Sequence, residues 1–192
     1  MPRVLLVNDT DKPIAELREA LQRAGYEILA DVAHARALLH AVETQRPDVI
    51  LIDTESPTRD TLEQLAVMNA SAPRPVVMFS DAADQSVIRA AVRAGVTTYV
   101  VDGMAPGKLV PILEVACARF DEEDKLRRRL AEVERQLADR KDIDRAKGWL
   151  MDRHGLSEAE AFELLRGQAM KQGVRLGDVA RQLLSMPGQA GP

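Results

Sequence analysis

Acids, an amide and a hydroxyl recur at the ends of short apolar runs in the first half of this chain. Asn8-Asp9 closes "VLLV", Asp53 closes "VILI", Ser80-Asp81 closes "VVMF" and Asp102 closes "YVV". Together these residue types could handle phosphate. Asp9 and Asp53 are hard oxygen donors of the kind Mg²⁺ prefers. Asp53 could attack phosphorus as a carboxylate nucleophile, and Ser80 could hydrogen-bond a phosphoryl oxygen. The plain alternative is that each side chain caps the helix after its strand. For one isolated residue that alternative wins; an ordered set at successive strand ends makes a site equally plausible.

A second group lies towards the other end. Arg145, Lys147, Arg153, Arg166, Lys171, Arg175 and Arg181 recur at spacings that could put several on one face. A local basic face suits a phosphate backbone, although each cation alone reads as a solvated helix charge. Trp149, Ala161 and Phe162 read as packing, with one exposed ring able to stack an unpaired base. Leu150, Met151, Leu165 and Met170 read as core. His154 has no ligand cluster beside it and reads as a helix-end charge.

The elements that must position these residues follow from periodicity. Apolar runs at Val4–Val7, Ile28–Val32, Val49–Ile52, Val76–Phe79 and Tyr99–Val101 alternate with helical spacing over Lys12–Ala24, Ala33–Thr44, Arg59–Ala70, Asp84–Ala94 and Pro106–Phe120. Such alternation predicts an α/β fold with a five-stranded parallel sheet, helices on both faces, over residues 1–118. Ligands of such sheets gather at the carboxyl ends of the strands, where Asn8, Asp9, Asp53, Ser80 and Asp102 stand. Residues 119–142 contain no Gly or Pro and many charges. Leu126, Leu130, Val133 and Leu137 make a short heptad seam there. It is either a solvated linking helix or a dimerising coiled coil. Residues 143–186 read as three helices, about Ile143–Arg153, one capped by Ser157 with Glu160 as a capping box and ended by Gly173, and about Leu176–Leu184. Residues 187–192, "PGQAGP", read as a disordered tail.

Composition sets outer limits. A chain of 192 residues holds one large domain or two small ones. Aromatics are 3%, too few for a nucleic-acid surface built mainly on stacked rings. A net charge of -4 provides no basic field over the whole molecule, so any nucleic-acid contact must be local. The lone Cys117 reads as inert packing in a reducing compartment. No run reaches the roughly 18 apolar residues of a membrane span, so a cytoplasmic protein is expected.

The stretches "VLLVND", "PDVILIDTESPTRD", "PVVMFSD" and "AGVTTYVV" resemble the receiver domain of two-component response regulators over residues 3–118. The resemblance implies that Asp53 is the phospho-acceptor position, Asn8 and Asp9 the acidic-pair position, and Ser80 the switch position. Departures accompany it. Receivers usually carry two acids at Asn8-Asp9, Met-Pro at Ser56-Pro57, Asp-Gly at Asp60-Thr61 and Lys-Pro at Asp102-Gly103. The lysine neutralises the phosphoryl group. An aspartate in its place, about 4 Å from a phosphoaspartate, turns attraction into repulsion of about 4 kcal/mol at an effective dielectric constant near 20. A pseudo-receiver read by a partner is therefore expected, with Asp53 not used as the switch.

The stretches "AKGWLM", "EAEAFELLRGQAM" and "LGDVARQLL" are similar to the ANTAR domain, an RNA-binding antiterminator module, over about residues 137–185. Trp149 stands where that family often has an aliphatic residue. Receiver, short coiled coil and ANTAR in this order resemble the AmiR and NasT regulators. The resemblance implies an antiterminator that binds paired leader-RNA hairpins, in nitrate/nitrite assimilation genes, as a homodimer. It also implies sequestration by a NasS-like or AmiC-like ligand-sensing protein. RNA contact is expected from Arg145, Lys147, Arg153, Ala161, Phe162, Arg166, Lys171 and Arg175. No catalytic residue, metal or cofactor is expected. The alternatives are a regulator activated by phosphorylation of Asp53 with the same output, a Mg²⁺-dependent phosphotransfer enzyme, and a helix-turn-helix DNA binder.

Overall fold

The structure, a computed structural model, describes residues 1–10, 15–32, 38–101 and 106–185. Five strands, β1 (Arg3–Asp9), β2 (Glu27–Val32), β3 (Val49–Thr54), β4 (Val76–Ser80) and β5 (Thr98–Val101), form one parallel sheet in the order β2-β1-β3-β4-β5. The helices α1 (Ala15–Arg23), α2 (Leu38–Gln45), α3 (Arg59–Ser71), α4 (Gln85–Arg93) and the start of α5 (Pro106–His154) connect and follow the strands. The expected α/β sheet is thus present. The first residues of the helices expected from Lys12 and Ala33 lie outside the described residues, as do Asp102 and the tail.

Strand periodicity builds two cores. Leu5, Val7, Ile50, Ile52, Val76 and Met78 point to one face, where Leu38, Val42, Leu65, Met68 and Ala91 of α2, α3 and α4 meet them. Val4, Leu6, Val49, Leu51, Val77 and Phe79 point to the other, against Leu17 and Leu21 of α1 and Leu109, Leu113 and Ala116 of α5. Alternate residues face opposite ways, so a strand covered on both sides must be apolar throughout. This is why β3 is buried along its whole length, Asp53 and Thr54 included. Cys117 packs at the edge of the second core. Burial, with Asp121 and Asp48 nearby, pushes its thiol upward.

The chain divides into two compact units, Met1–Asp124 and Lys125–Pro192. Here the structure departs from the three separate helical segments read from sequence. The segment after β5, the charged stretch and the next helix are one helix, α5, of 49 residues. Nothing in 119–142 breaks it, because neither Gly nor Pro occurs there. Pro111 lies near its start, where the missing N–H removes only the bond to the carbonyl of residue 107.

The second unit packs the end of α5 with α6 (Glu158–Gln172) and α7 (Leu176–Ser185). Its core is Ala146, Leu150, Ala161, Leu165, Ala169, Val179 and Ala180. The expected capping box is present: Ser157 Oγ accepts from the Glu160 N–H, and the Ser157 N–H donates to Glu160 Oε2 at 2.9 Å. Gly173 ends α6 at φ 65°, a left-handed conformation that favours glycine. Met151 and Met170 are not core, contrary to expectation; they are 39% and 75% exposed. Each follows a buried residue, Leu150 or Ala169, and one residue along a helix turns the side chain by about 100° away from the core stripe.

Candidate functional site

The sheet register gathers the strand-end residues of the first unit. Asn8 is level with Asp53, Asp9 with Thr54, and Thr54 with Ser80 across β1, β3 and β4. Asp53 is buried and Asp9 is exposed. Asn8 closes a small ring with the following loop: its Nδ2 donates to the Thr10 carbonyl at 3.2 Å, and Thr10 Oγ1 donates to its Oδ1 at 2.9 Å. An amide supplies both a donor and an acceptor for this ring; a carboxylate would supply only acceptors. Ser80 is buried. Its Oγ donates to the Glu55 carbonyl at 2.9 Å and accepts from the Ala82 N–H at 3.2 Å. The Asp81 N–H reaches the same Glu55 carbonyl at 3.2 Å, and Tyr99 Oη donates to the Ala82 carbonyl at 2.9 Å. Ser80 therefore ties the loops after β3 and β4 together. Asp102, expected to complete the set, lies outside the described residues. Among the described residues no group of three or more His, Cys, Asp or Glu side chains gathers as a metal site.

Capping also explains part of the pattern. Thr58 caps α3, accepting from the Thr61 N–H at 3.2 Å, and Asp84 caps α4, accepting from the Ser86 N–H at 2.7 Å. Hydrogen bonds from the Ser86 side chain and backbone hold the Asp84 carboxyl below its usual range. The true caps are thus Thr58 and Asp84, not the strand-end residues Asp53 and Ser80. On the outer side of α4, Arg89 and Arg93 stand one turn apart beside Gln85 and Ser86, with no acid partner among the described residues.

The helical unit sorts the basic residues differently from the sequence expectation. Arg145, Arg153, Arg166, Lys171 and Arg175 are exposed. Lys147 is not a free cation. Its Nζ lies 2.9 Å from Asp144 and 2.7 Å from Glu158, pinning α5 to the start of α6, and those carboxylates push its ammonium upward. Ala161 cannot touch a ligand: it is fully buried against the core, because it shares a stripe with Leu165 and Ala169. Phe162, next along the helix, is 38% exposed and remains available. Arg181 faces three acids, Asp139 at 2.6 Å, Asp178 at 2.5 Å and Asp142 at 3.4 Å. It staples α7 to α5, and its guanidinium is pushed upward. The heptad residues Leu126, Leu130, Val133 and Leu137 are all more than half exposed.

Residues 4–114 match the response regulator receiver domain, and residues 131–184 match the ANTAR domain. The chain belongs to the response regulator receiver family. It carries an ANTAR domain as its C-terminal output, and this is a family of regulators, not of enzymes. The ANTAR match begins at Ala131, within the stretch read from sequence as a separate linker. The regulator is similar along nearly its whole length to the transcriptional regulatory protein PdtaR of Mycobacterium tuberculosis, with 28% identity over 97% of this chain and 91% of that protein. Its receiver part is 33% identical to the transcriptional regulatory protein PrrA of Mycobacterium leprae, over 57% of this chain and 47% of PrrA. A signal receiver domain of a modulated diguanylate cyclase from Desulfovibrio desulfuricans superposes with a TM-score of 0.56 at 25% identity, over 64% of this chain and 98% of that one. Vibrio cholerae CheY4 shares the receiver fold, with a TM-score of 0.53 at 24% identity, over 60% of this chain and 98% of that one. No helix of the described residues is long and apolar enough to cross a membrane.

Proposed function

We propose that this regulator is an RNA-binding transcription antiterminator whose receiver is read by a partner protein and not switched by phosphate. The ANTAR domain is the observation that carries the output: an RNA-binding antitermination module joined to a receiver has transcript control as its natural task. The similarity to a mycobacterial transcriptional regulatory protein over 97% of the chain supports a regulatory role of that kind. Exposed Arg145, Arg153, Arg166, Lys171, Arg175 and Phe162 are the proposed RNA contacts. Paired leader hairpins ask for two ANTAR copies, and the exposed Leu126, Leu130, Val133 and Leu137 seam supports a homodimer that supplies them.

Three features of the receiver argue against a phosphate switch. Asn8 stands where a second acid would help hold Mg²⁺, and its amide is engaged with Thr10. Asp102 stands in the sequence where a phosphate-pairing lysine would be. The Ser80 hydroxyl already bridges two loops. Sequestration by a NasS-like or AmiC-like ligand sensor, with nitrate or nitrite as the signal, is the control that the AmiR and NasT resemblance supports. The unpaired Arg89 and Arg93 on α4 give such a partner a charged surface to read. A cytoplasmic location follows from a transcript as target.

A second reading has its own support. Asp53 is buried at a strand end, level with Asn8 and one strand from Ser80, as a phospho-acceptor site requires. Binding of the purified protein to a paired-hairpin leader RNA, beside matched duplex DNA and with or without acetyl phosphate, separates the two. Selective RNA binding that ignores acetyl phosphate supports the partner-controlled antiterminator. RNA binding that needs acetyl phosphate supports the second reading, and no RNA preference rejects both.

A further inference from the structure

We infer that Trp149 is a stacking platform for an unpaired RNA base, flanked by phosphate-binding cations on its own helix; this rests on the RNA-binding reading above. Trp149 is the chain's only tryptophan. Its ring packs partly against the helical core. Its indole N–H has no hydrogen-bond partner among the described residues and is not buried. A ring with one apolar flank and one wet polar edge suits an interface more than an interior. Arg153 carries its guanidinium carbon 5.8 Å from the indole centroid, within cation–π range. His154 meets the ring edge-on, with centroids 5.4 Å apart and planes at 66°. The ring is thereby held in place before any ligand arrives.

The helix extends the arrangement. Lys141, Arg145, Trp149 and Arg153 follow one another at intervals of four on α5, so they form one stripe. The three cations are exposed, and none has an acid partner among the described residues. Lys147, two residues from Trp149 and off this stripe, is the one neutralised by two acids. The stripe thus pairs an aromatic face with unneutralised positive charge. An unpaired loop base offers a face to the indole and guanidinium, while its flanking phosphates meet Arg145 and Lys141. A duplex hides its base faces and would gain only the charge. Asp152, exposed and three residues past Trp149, is the acid that opposes the phosphates here.

Because Trp149 is the only tryptophan, its fluorescence reports on the proposed contact in the full chain. The probes are a stem-loop RNA, the same stem-loop with abasic loop nucleotides, and an acidic peptide such as polyglutamate. The intact loop should quench Trp149, and the abasic loop should do so far less. Trp149→Leu, checked for folding by circular dichroism, should weaken binding by about tenfold or more. Arg145→Gln should lower the slope of log affinity against log salt by about 0.7, one phosphate's share for a single strand. Asp152→Asn should tighten binding. RNA binding with unquenched fluorescence, or with Trp149→Leu and Arg145→Gln both at wild-type affinity, overturns the inference. Stronger quenching by the acidic peptide than by RNA overturns the ligand class. Absence of any RNA binding by the wild type, by contrast, rejects the function on which the inference rests.

Discussion

At the residue scale, two side chains tie local structure together, Ser80 in a way its position in the sequence does not announce and Glu160 in the way the sequence predicts. Ser80 bridges the Glu55 carbonyl and the Ala82 N–H while buried. Ser80→Ala removes two part-buried hydrogen bonds at about 0.5–1.5 kcal/mol each, and should destabilise the receiver by about 1–3 kcal/mol in urea unfolding. Glu160 closes the capping box, and the Ser157 hydroxyl and N–H hold its carboxyl below the usual range. A depressed carboxyl stabilises the fold above its unfolded value, and that contribution disappears as pH falls through the folded one. Stability of the wild type and of Glu160→Gln, compared by thermal melts from neutral to acidic pH, should therefore differ at pH 7. The difference should close below the ordinary carboxylate range. The engaged amide of Asn8 belongs at this scale too, since an acid there would lack the donor that reaches Thr10.

At the scale of elements, α5 decides most. It lines the second receiver core through Leu109, Leu113 and Ala116, and the ANTAR core through Ala146 and Leu150. Between those stretches it exposes Leu126, Leu130, Val133 and Leu137, whose four-three-four spacing is that of a two-helix seam. Replacing Leu130 and Val133 by lysine should dissociate the proposed dimer in sedimentation velocity. The loss of affinity should be greater for an RNA with two hairpins than for one with a single hairpin. The contact of α7 with α5 is equally specific. A Cβ at Gly177 would lie 2.8 Å from Asp139 Cβ, and Asp139 cannot yield freely because Arg181 holds it at 2.6 Å. Gly177→Ala gains up to about 1 kcal/mol of helix propensity. It should still destabilise the chain, by up to about 2 kcal/mol net when the full propensity gain is set against an overpacking cost of about 1–3 kcal/mol.

At the scale of the whole molecule, the regulator couples a receiver fold to an output module through one uninterrupted helix, while its net charge stays at -4. RNA affinity must then come from a local patch opposed by the overall charge, so binding should weaken steeply with salt. Control, on the proposed reading, comes from a partner that prefers one state of the receiver or of the dimer. Asp53→Asn should accordingly leave RNA affinity unchanged in the presence of acetyl phosphate. A phosphate-switched regulator would lose its acetyl phosphate response with the same substitution, and filter binding distinguishes the two.

The sequence by itself determined the parallel sheet, because continuous apolar runs separated by helical spacing have one covered arrangement. It also determined the capping box at Ser157 and the stop at Gly173, which depend on neighbours a few residues away. Local chemistry of that range is written in local order. What only the tertiary structure decided involves groups far apart in the chain or one helical step from a core stripe. The fusion of three expected segments into α5 and the neutralisation of Lys147 by Asp144 and Glu158 are examples. The burial of Ala161 beside an exposed Phe162 is another. So is the close approach of Gly177 to Asp139. In each case residue type alone leaves the choice open: a cation reads the same whether or not acids fold onto it. One step along a helix turns a side chain by about 100°, enough to move it from core to solvent.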